Sequence, residues 1–158
     1  MQFTIRQAVV ADFKTLQSLN HLLFRAEYEN GHDGALLVDW PLSDAGALYL
    51  KKSLSDPTKI VLLAEDEHKS PVGYIIGSSI NKFTYRTVVT GELENMFILP
   101  SARKQGIGKA LVEQLKIWMK EKGVDRMYVQ AYGKNENAIH FYDKCGFSLI
   151  DIGMEMKL

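Results

Sequence analysis

Between Glu92 and Leu111 the chain reads ELENMFILPSARKQGIGKAL. Its central residues, Arg103-Lys104-Gln105-Gly106-Ile107-Gly108-Lys109, combine bare backbone with cationic side chains. Glycine has no Cβ to hold main-chain N–H groups away from a bound oxyanion. A helix that starts at such a turn adds its own unpaired N–H groups and the positive end of its dipole, so the segment suits a phosphate. Two commoner phosphate motifs do not fit. A P-loop needs Gly where Arg103 stands and Ser or Thr where Ala110 stands, and a Rossmann fingerprint needs a small residue in place of Leu111.

A second stretch carries further polar groups at fixed spacing: Asn135-Glu136-Asn137-Ala138-Ile139-His140-Phe141-Tyr142-Asp143-Lys144-Cys145-Gly146-Phe147. It matches Asn-x-x-Ala-x-x-Phe-Tyr-x-Lys-x-Gly-Phe, while the first stretch matches Arg-x-x-Gly-x-Gly after a strand ending in Pro100. The two together, in this order, resemble the hallmarks of the GNAT superfamily of N-acetyltransferases. The resemblance covers essentially the whole chain. It implies an α/β fold whose mixed, mostly antiparallel central sheet has one splayed strand pair and helices on both faces. It also implies acetyl-CoA as cosubstrate, with the backbone of Met96, Phe97 and Ile98 pairing with the pantetheine arm and Gly91 permitting a bulge in that strand. By the same resemblance, the Arg103 side chain and the N–H groups of Lys104 to Lys109 hold the pyrophosphate, Asn135 contacts the pantetheine, and Tyr142 lies beside the thioester sulfur.

The chemistry asked of these residues follows from pKa values. An amine with a reference pKa of about 10 is protonated at neutral pH and must lose a proton before it attacks a thioester carbonyl. Glu92 and Glu94, two apart on a strand, share a face and are both candidate bases. Counting back from Arg103, Glu92 stands where matching family members carry a glutamate base. A single bulge would instead aim Glu94 into the cleft. The departing thiolate needs a proton, which the Tyr142 hydroxyl can supply. The expected function is acetyl transfer from acetyl-CoA to a primary amine of a small cationic molecule, by direct attack in a ternary complex. Acetylation of a protein or peptide amine, and a non-catalytic acyl-CoA-binding regulatory module, are the alternatives.

The elements that must position these groups read clearly from periodicity. Phe3 to Gln7 alternates as a strand, and Phe13, Leu16, Leu19, Leu23 and Ala26 mark a helix that stops at Asn30-Gly31. Ser43-Asp44 starts a second helix running to about Ser55. Ile60 to Ala64 is continuously apolar, as in a strand covered on both faces, and Val72 to Gly77 is its hairpin partner. After a turn at Lys82 to Tyr85, a third strand begins near Thr87 and ends at Pro100. A helix follows from Gly106 to Gly123, then a strand over Asp125 to Tyr132, a helix over Asn135 to Lys144, and a final strand or short hairpin over Phe147 to Leu158. This reads as one domain, residues 1–158.

Composition narrows the partners. With 46% hydrophobic and 24% charged residues and 19 basic against 19 acidic side chains, there is no electrostatic reason to expect nucleic acid or a membrane. Cys145 is the single cysteine and reads as a small helix residue; His21, His32, His68 and His140 lack ligand spacing, so no metal is expected. The N-terminus reads as a strand rather than a signal sequence, which makes the cytoplasm the expected location. Charge is unevenly placed: Glu27, Glu29, Asp33, Asp39 and Asp44 fall in a stretch without Lys or Arg, beside Tyr28 and Trp40. That stretch suits a cationic small-molecule acceptor. A homodimer is left open.

Overall fold

In the computed structural model, which describes residues 2–158, five strands form one sheet in the order of the chain. They are β1 (Phe3–Gln7), β2 (Lys59–Asp66), β3 (Pro71–Ser78), β4 (Thr90–Ile98) and β5 (Arg126–Val129). The first four are antiparallel neighbours, whereas β5 lies parallel to β4. The helices are α1 (Phe13–Glu29), α2 (Asp44–Ser55), α3 (Ile107–Glu121) and α4 (Glu136–Lys144).

The apolar run in β2 is continuous because the sheet is covered on both faces. Ile60, Leu62 and Ala64 join Ile75, Leu93 and the Ile107-Leu111-Leu115 stripe of α3 in one core. Val61 and Leu63 turn the other way, to Tyr74, Ile76 and Phe97 beneath Leu16 and Leu19 of α1 and Leu50 of α2. Local signals set the helix ends. The Ser43 hydroxyl accepts from the Gly46 N–H at the start of α2, and Gly106, with φ +84°, turns the chain into α3 through a left-handed conformation that glycine adopts without strain.

Two strand boundaries differ from the sequence expectation. β4 starts at Thr90 rather than near Thr87, because the preceding loop closes on Thr90 itself: its N–H reaches Asn81 and its carbonyl accepts from Lys82. β5 covers only Arg126–Val129 of the expected Asp125 to Tyr132, since β4 has separated from it beyond Val129.

The larger correction is at the C-terminus. The strand or hairpin expected over Phe147 to Leu158, and with it the terminal strand pair of the family order, is not formed. After the Phe147 N–H donates to Tyr142, no backbone hydrogen bond joins residues 148–158 to the other described residues. A strand needs a ladder partner for its N–H and C=O groups. This segment touches β5 only through Asp151, whose carboxylate accepts from the Tyr128 hydroxyl, and makes no ladder with it. No helix among the described residues is long and apolar enough to cross a membrane.

Candidate active site

The parallel pair holds together for only four residues, from Thr90 opposite Arg126 to Leu93 opposite Val129. Beyond Leu93, β4 keeps its antiparallel bonds to β3 and loses its neighbour on the other side, so Met96, Phe97 and Ile98 border an open gap. The register with β3 also jumps here: Gly77 faces Leu93 and Ile76 faces Asn95, leaving Glu94 as an extra residue. A bulge bends and twists its strand, which is why β4 leaves β5 at this point. The bulge is therefore at Glu94 and not at Gly91. Gly91 meets a packing constraint: a Cβ there would lie 2.6 Å from the Met119 sulfur and 2.8 Å from the Ser78 carbonyl oxygen.

Because of the bulge, Glu94 and the next residue, Asn95, both reach Tyr49 of α2. The Tyr49 hydroxyl donates to Glu94 Oε2 at 2.5 Å and accepts from Asn95 Nδ2 at 2.9 Å. Lys59 Nζ lies 2.8 and 2.9 Å from the two Glu94 oxygens. Burial and the Glu94 charge together hold the Tyr49 phenol well above its ordinary pKa, so it stays a proton donor. Glu92 has a different partner, Lys82, whose Nζ lies 3.0 and 2.9 Å from its oxygens. The two carboxylates that the sequence paired are thus held by two separate lysines.

At the far end of β4, Leu99 leads into a short 3-10 turn, Pro100–Ala102, and then the glycine turn. Arg103 donates from Nε to the Ile98 carbonyl at 3.0 Å, and its guanidinium lies 5.6 Å from the Phe97 ring centroid. Lys104 and Gly106 both have positive φ. Among the described residues, the main-chain N–H groups from Lys104 to Lys109 make no backbone hydrogen bond, so six consecutive donors are available beside the first turn of α3. Gly108 faces Phe141 of α4, whose ring a Cβ would meet at 3.1 Å, so this glycine also lets α3 and α4 approach.

Tyr142 lies in α4 on that same side, its ring edge-on to Phe141 and Phe147. Burial, with smaller contributions from Cys145 and Glu27, raises its pKa, so the hydroxyl is protonated at neutral pH. Asn135 caps α4: its Oδ1 accepts from the Ala138 N–H at 3.0 Å while its Nδ2 donates to Glu27 Oε1 at 3.1 Å. Both ends of the side chain are engaged, and the backbone is too: the Asn135 N–H donates to the Tyr132 carbonyl at 2.8 Å and its own carbonyl accepts from Ile139 at 3.1 Å. The other Glu27 oxygen lies 2.5 Å from His32 Nδ1. Tyr132 donates to Asp33 at 3.1 Å, and burial followed by that contact raises its pKa to about 12.

The acidic stretch is less bare than the sequence suggested. Glu27 and Asp33 are bound as described, Asp39 pairs with His21, and Glu29 with Arg25 of its own helix. Asp33 also lines a groove of about 330 Å³ with Phe24, Leu36 and Trp40. Trp40 stacks on Phe24 at 5.6 Å and tilts onto Tyr49 at 5.9 Å, which connects the groove wall to Glu94. Tyr49, Lys59, Lys82, His32 and Tyr132 were not singled out from the sequence. Tyr49, Lys59 and Tyr132 reach their site groups across 45, 35 and 99 residues of chain, Lys82 and His32 across 10 and 5, and none belongs to a spaced motif.

Comparison with known proteins agrees with this architecture. The structure of a mutant of the BH1408 protein from Bacillus halodurans superposes with a TM-score of 0.86 over 98% of this chain and 99% of that one, at 20% identity. The aminoglycoside 6'-N-acetyltransferase AAC(6')-Ih from Acinetobacter baumannii does so with a TM-score of 0.79 over 99% and 98%, at 19% identity. At such identities these matches define the fold: a mixed sheet of the acetyltransferase type. The sequence profile of the acetyltransferase (GNAT) family matches residues 16–147, and the chain belongs to that family. A glucosamine 6-phosphate N-acetyltransferase from Trypanosoma brucei brucei is 32% identical over 92 residues, 56% of this chain and 60% of that protein. The peptidyl-lysine N-acetyltransferase YiaC of Escherichia coli is 36% identical over 59 residues, 37% of each. The chain thus spans less than two thirds of the length of these two relatives.

Proposed function

We propose that the protein transfers an acetyl group from acetyl-CoA to a primary amine by direct attack in a ternary complex. The observation that carries this reading is the gap between β4 and β5, with an open strand edge at Met96 to Ile98 leading to six free N–H groups at Lys104 to Lys109. An extended amide-bearing arm adds to such an edge as a strand does, and a pyrophosphate suits the converging N–H groups and the start of a helix. The related-fold enzyme AAC(6')-Iy has been solved in complex with CoA.

In the reaction the ammonium gives one proton to a carboxylate and the freed nitrogen attacks the thioester carbonyl; the C–S bond then breaks, the thiolate takes a proton from Tyr142, and the proton that the new amide nitrogen sheds restores the phenol. Glu92 is the base we favour. Its carboxylate has one partner, the more exposed Lys82, whereas the Glu94 carboxylate is held by both the more buried Lys59 and Tyr49. The acceptor we infer is a small cationic amine at the groove lined by Phe24, Asp33 and Trp40, with Asp33 supplying the charge. CoA release with saturating acetyl-CoA and a panel of aminoglycosides, amino sugars, polyamines, amino acids and short peptides tests this. Turnover confined to cationic small molecules, weakening with salt, is expected. Preference for peptides would replace the acceptor, and release with no amine in the panel would remove acetyl transfer to amines.

A further inference from the structure

Lys82 stands where an acceptor amine would have to stand. A base takes a proton from a donor within hydrogen-bond reach, and Lys82 Nζ lies 3.0 and 2.9 Å from the two oxygens of Glu92. Both the backbone and the side chain of Lys82 are held there. Its N–H donates to the Thr90 carbonyl at 2.7 Å, and the Thr90 N–H donates to Asn81 Oδ1 at 2.9 Å, which pins the loop of residues 79–89 to the start of β4. Its ammonium lies 5.8 Å from the centroid of the Tyr128 ring, and Tyr128 is the residue opposite Glu92 in the parallel pair. Phe83, the next residue, meets the same ring edge-on at 5.0 Å.

The same point is the closed end of the gap between β4 and β5. An arm that starts at the N–H groups of Lys104 to Lys109 and runs back along Ile98, Phe97 and Met96 ends where the two strands rejoin, at Leu93 and Val129. That is one residue from Glu92 and Tyr128, so a thioester at the tip of the arm comes to the side of Lys82. Lys59, the other lysine on a β4 carboxylate, is placed differently. It belongs to β2, its side chain is 14% exposed against 36% for Lys82, and its carboxylate is also held by Tyr49.

We propose that the chain acetylates its own Lys82, within one molecule, from acetyl-CoA held in the gap, and that this releases Glu92 for soluble amines. The inference rests on acetyl transfer with Glu92 as the base. Glu92 takes one proton from the Lys82 ammonium and passes it to water. The freed nitrogen attacks the thioester carbonyl, the C–S bond breaks, and the thiolate takes a proton from Tyr142. The proton that the new amide nitrogen sheds restores the phenol, leaving N-acetyl-Lys82 and CoA. The hydrogen bonds to Glu92 raise the Lys82 pKa, so the ammonium prevails at rest and the step is slow beside later turnovers. An amide carries no charge, so the ion pair ends and the carboxylate is open to an incoming ammonium.

For the test, the full chain is treated with a lysine deacetylase until mass spectrometry finds Lys82 unmodified, then given isotope-labelled acetyl-CoA with no amine. Label should enter Lys82 at least about a hundredfold faster than the exposed Lys52 and Lys120, because a base and an acid act only there. Its first-order rate should not change when the chain is diluted, and excess CoA, which fills the gap without an acetyl group, should protect Lys82 alone. With a soluble amine, the deacetylated chain should release CoA after a lag that prior acetylation abolishes. Lys82→Met, which leaves Glu92 unpaired from the start, should show no lag. Label spread evenly over surface lysines, a rate that falls on dilution, or no lag in the deacetylated chain would each overturn the proposal. If soluble amines are acetylated while Lys82 stays unlabelled, self-acetylation is wrong and transfer to amines stands; if neither takes the acetyl group, both readings fall.

Discussion

Tyr142 is set in α4 by aromatic neighbours on two sides, with its phenol kept protonated by burial. Tyr142→Phe keeps the ring and those contacts while removing the proton donor. Turnover should fall by about 10²–10⁴ with little change in acetyl-CoA affinity, in an assay where chemistry limits the rate. Unchanged turnover would leave Tyr142 a packing residue. The two glutamates separate by a different signature. Glu92→Gln should depress the rate most at neutral pH and recover as rising pH deprotonates the free amine. Glu94→Gln should instead lower stability, by about 1–3 kcal/mol, because it leaves the mostly buried Lys59 ammonium without its carboxylate. A denaturation curve and a pH–rate profile on both variants distinguish the roles, and the reverse pattern would make Glu94 the base.

Among the elements, β1 and the start of α1 are clamped to β2 by one side chain. Arg6 donates to both Asp12 oxygens at 2.8 and 2.9 Å and to Glu65 at 2.8 Å. Asp12 also accepts from the Val9 N–H, and its pKa is held below the usual carboxylate range, chiefly by Arg6. A depressed folded-state pKa adds stability that is complete above the unfolded value of about 3.9 and is lost as pH falls through the lower folded one. The acid side of a stability–pH curve should therefore flatten in Asp12→Asn, by about 1 kcal/mol given the partly exposed arginine. Identical acid limbs in the two proteins would remove this contribution. The clamp matters to the site because β2 carries Lys59, the partner of Glu94.

For the molecule as a whole, the gap between β4 and β5 is a cleft left within one sheet, open to any ligand that replaces the missing strand. Acetyl-CoA at a hundred times its dissociation constant should stabilise the fold by about 2.7 kcal/mol. For a domain of this size that is a melting shift of roughly 5–10 °C. Thermal melts with CoA and with acetyl-CoA provide the measurement, and no shift with either would remove the cosubstrate reading. The two faces of the sheet divide the work: α3 and α4 border the six free N–H groups, and α1, α2 and their connection carry the groove of Phe24, Asp33 and Trp40.

The sequence by itself determined what local chemistry can encode. The continuous apolar run of β2, the helix start at Ser43, the glycine turn into α3 and the two spaced motifs each depend on residues close in the chain, and each was legible there. Tertiary structure decided the rest. The bulge falls at Glu94 because the register of β4 against β3 is fixed by packing on both faces, which no single strand carries in its own pattern. The same packing brings Lys59 and Tyr49 to Glu94 and Lys82 to Glu92, and commits Asn135 to Glu27 across 108 residues of chain. The final segment shows the limit most clearly. Its alternation is a strand pattern, but whether a strand forms depends on a partner edge within reach, which is a property of where the fold sends the chain.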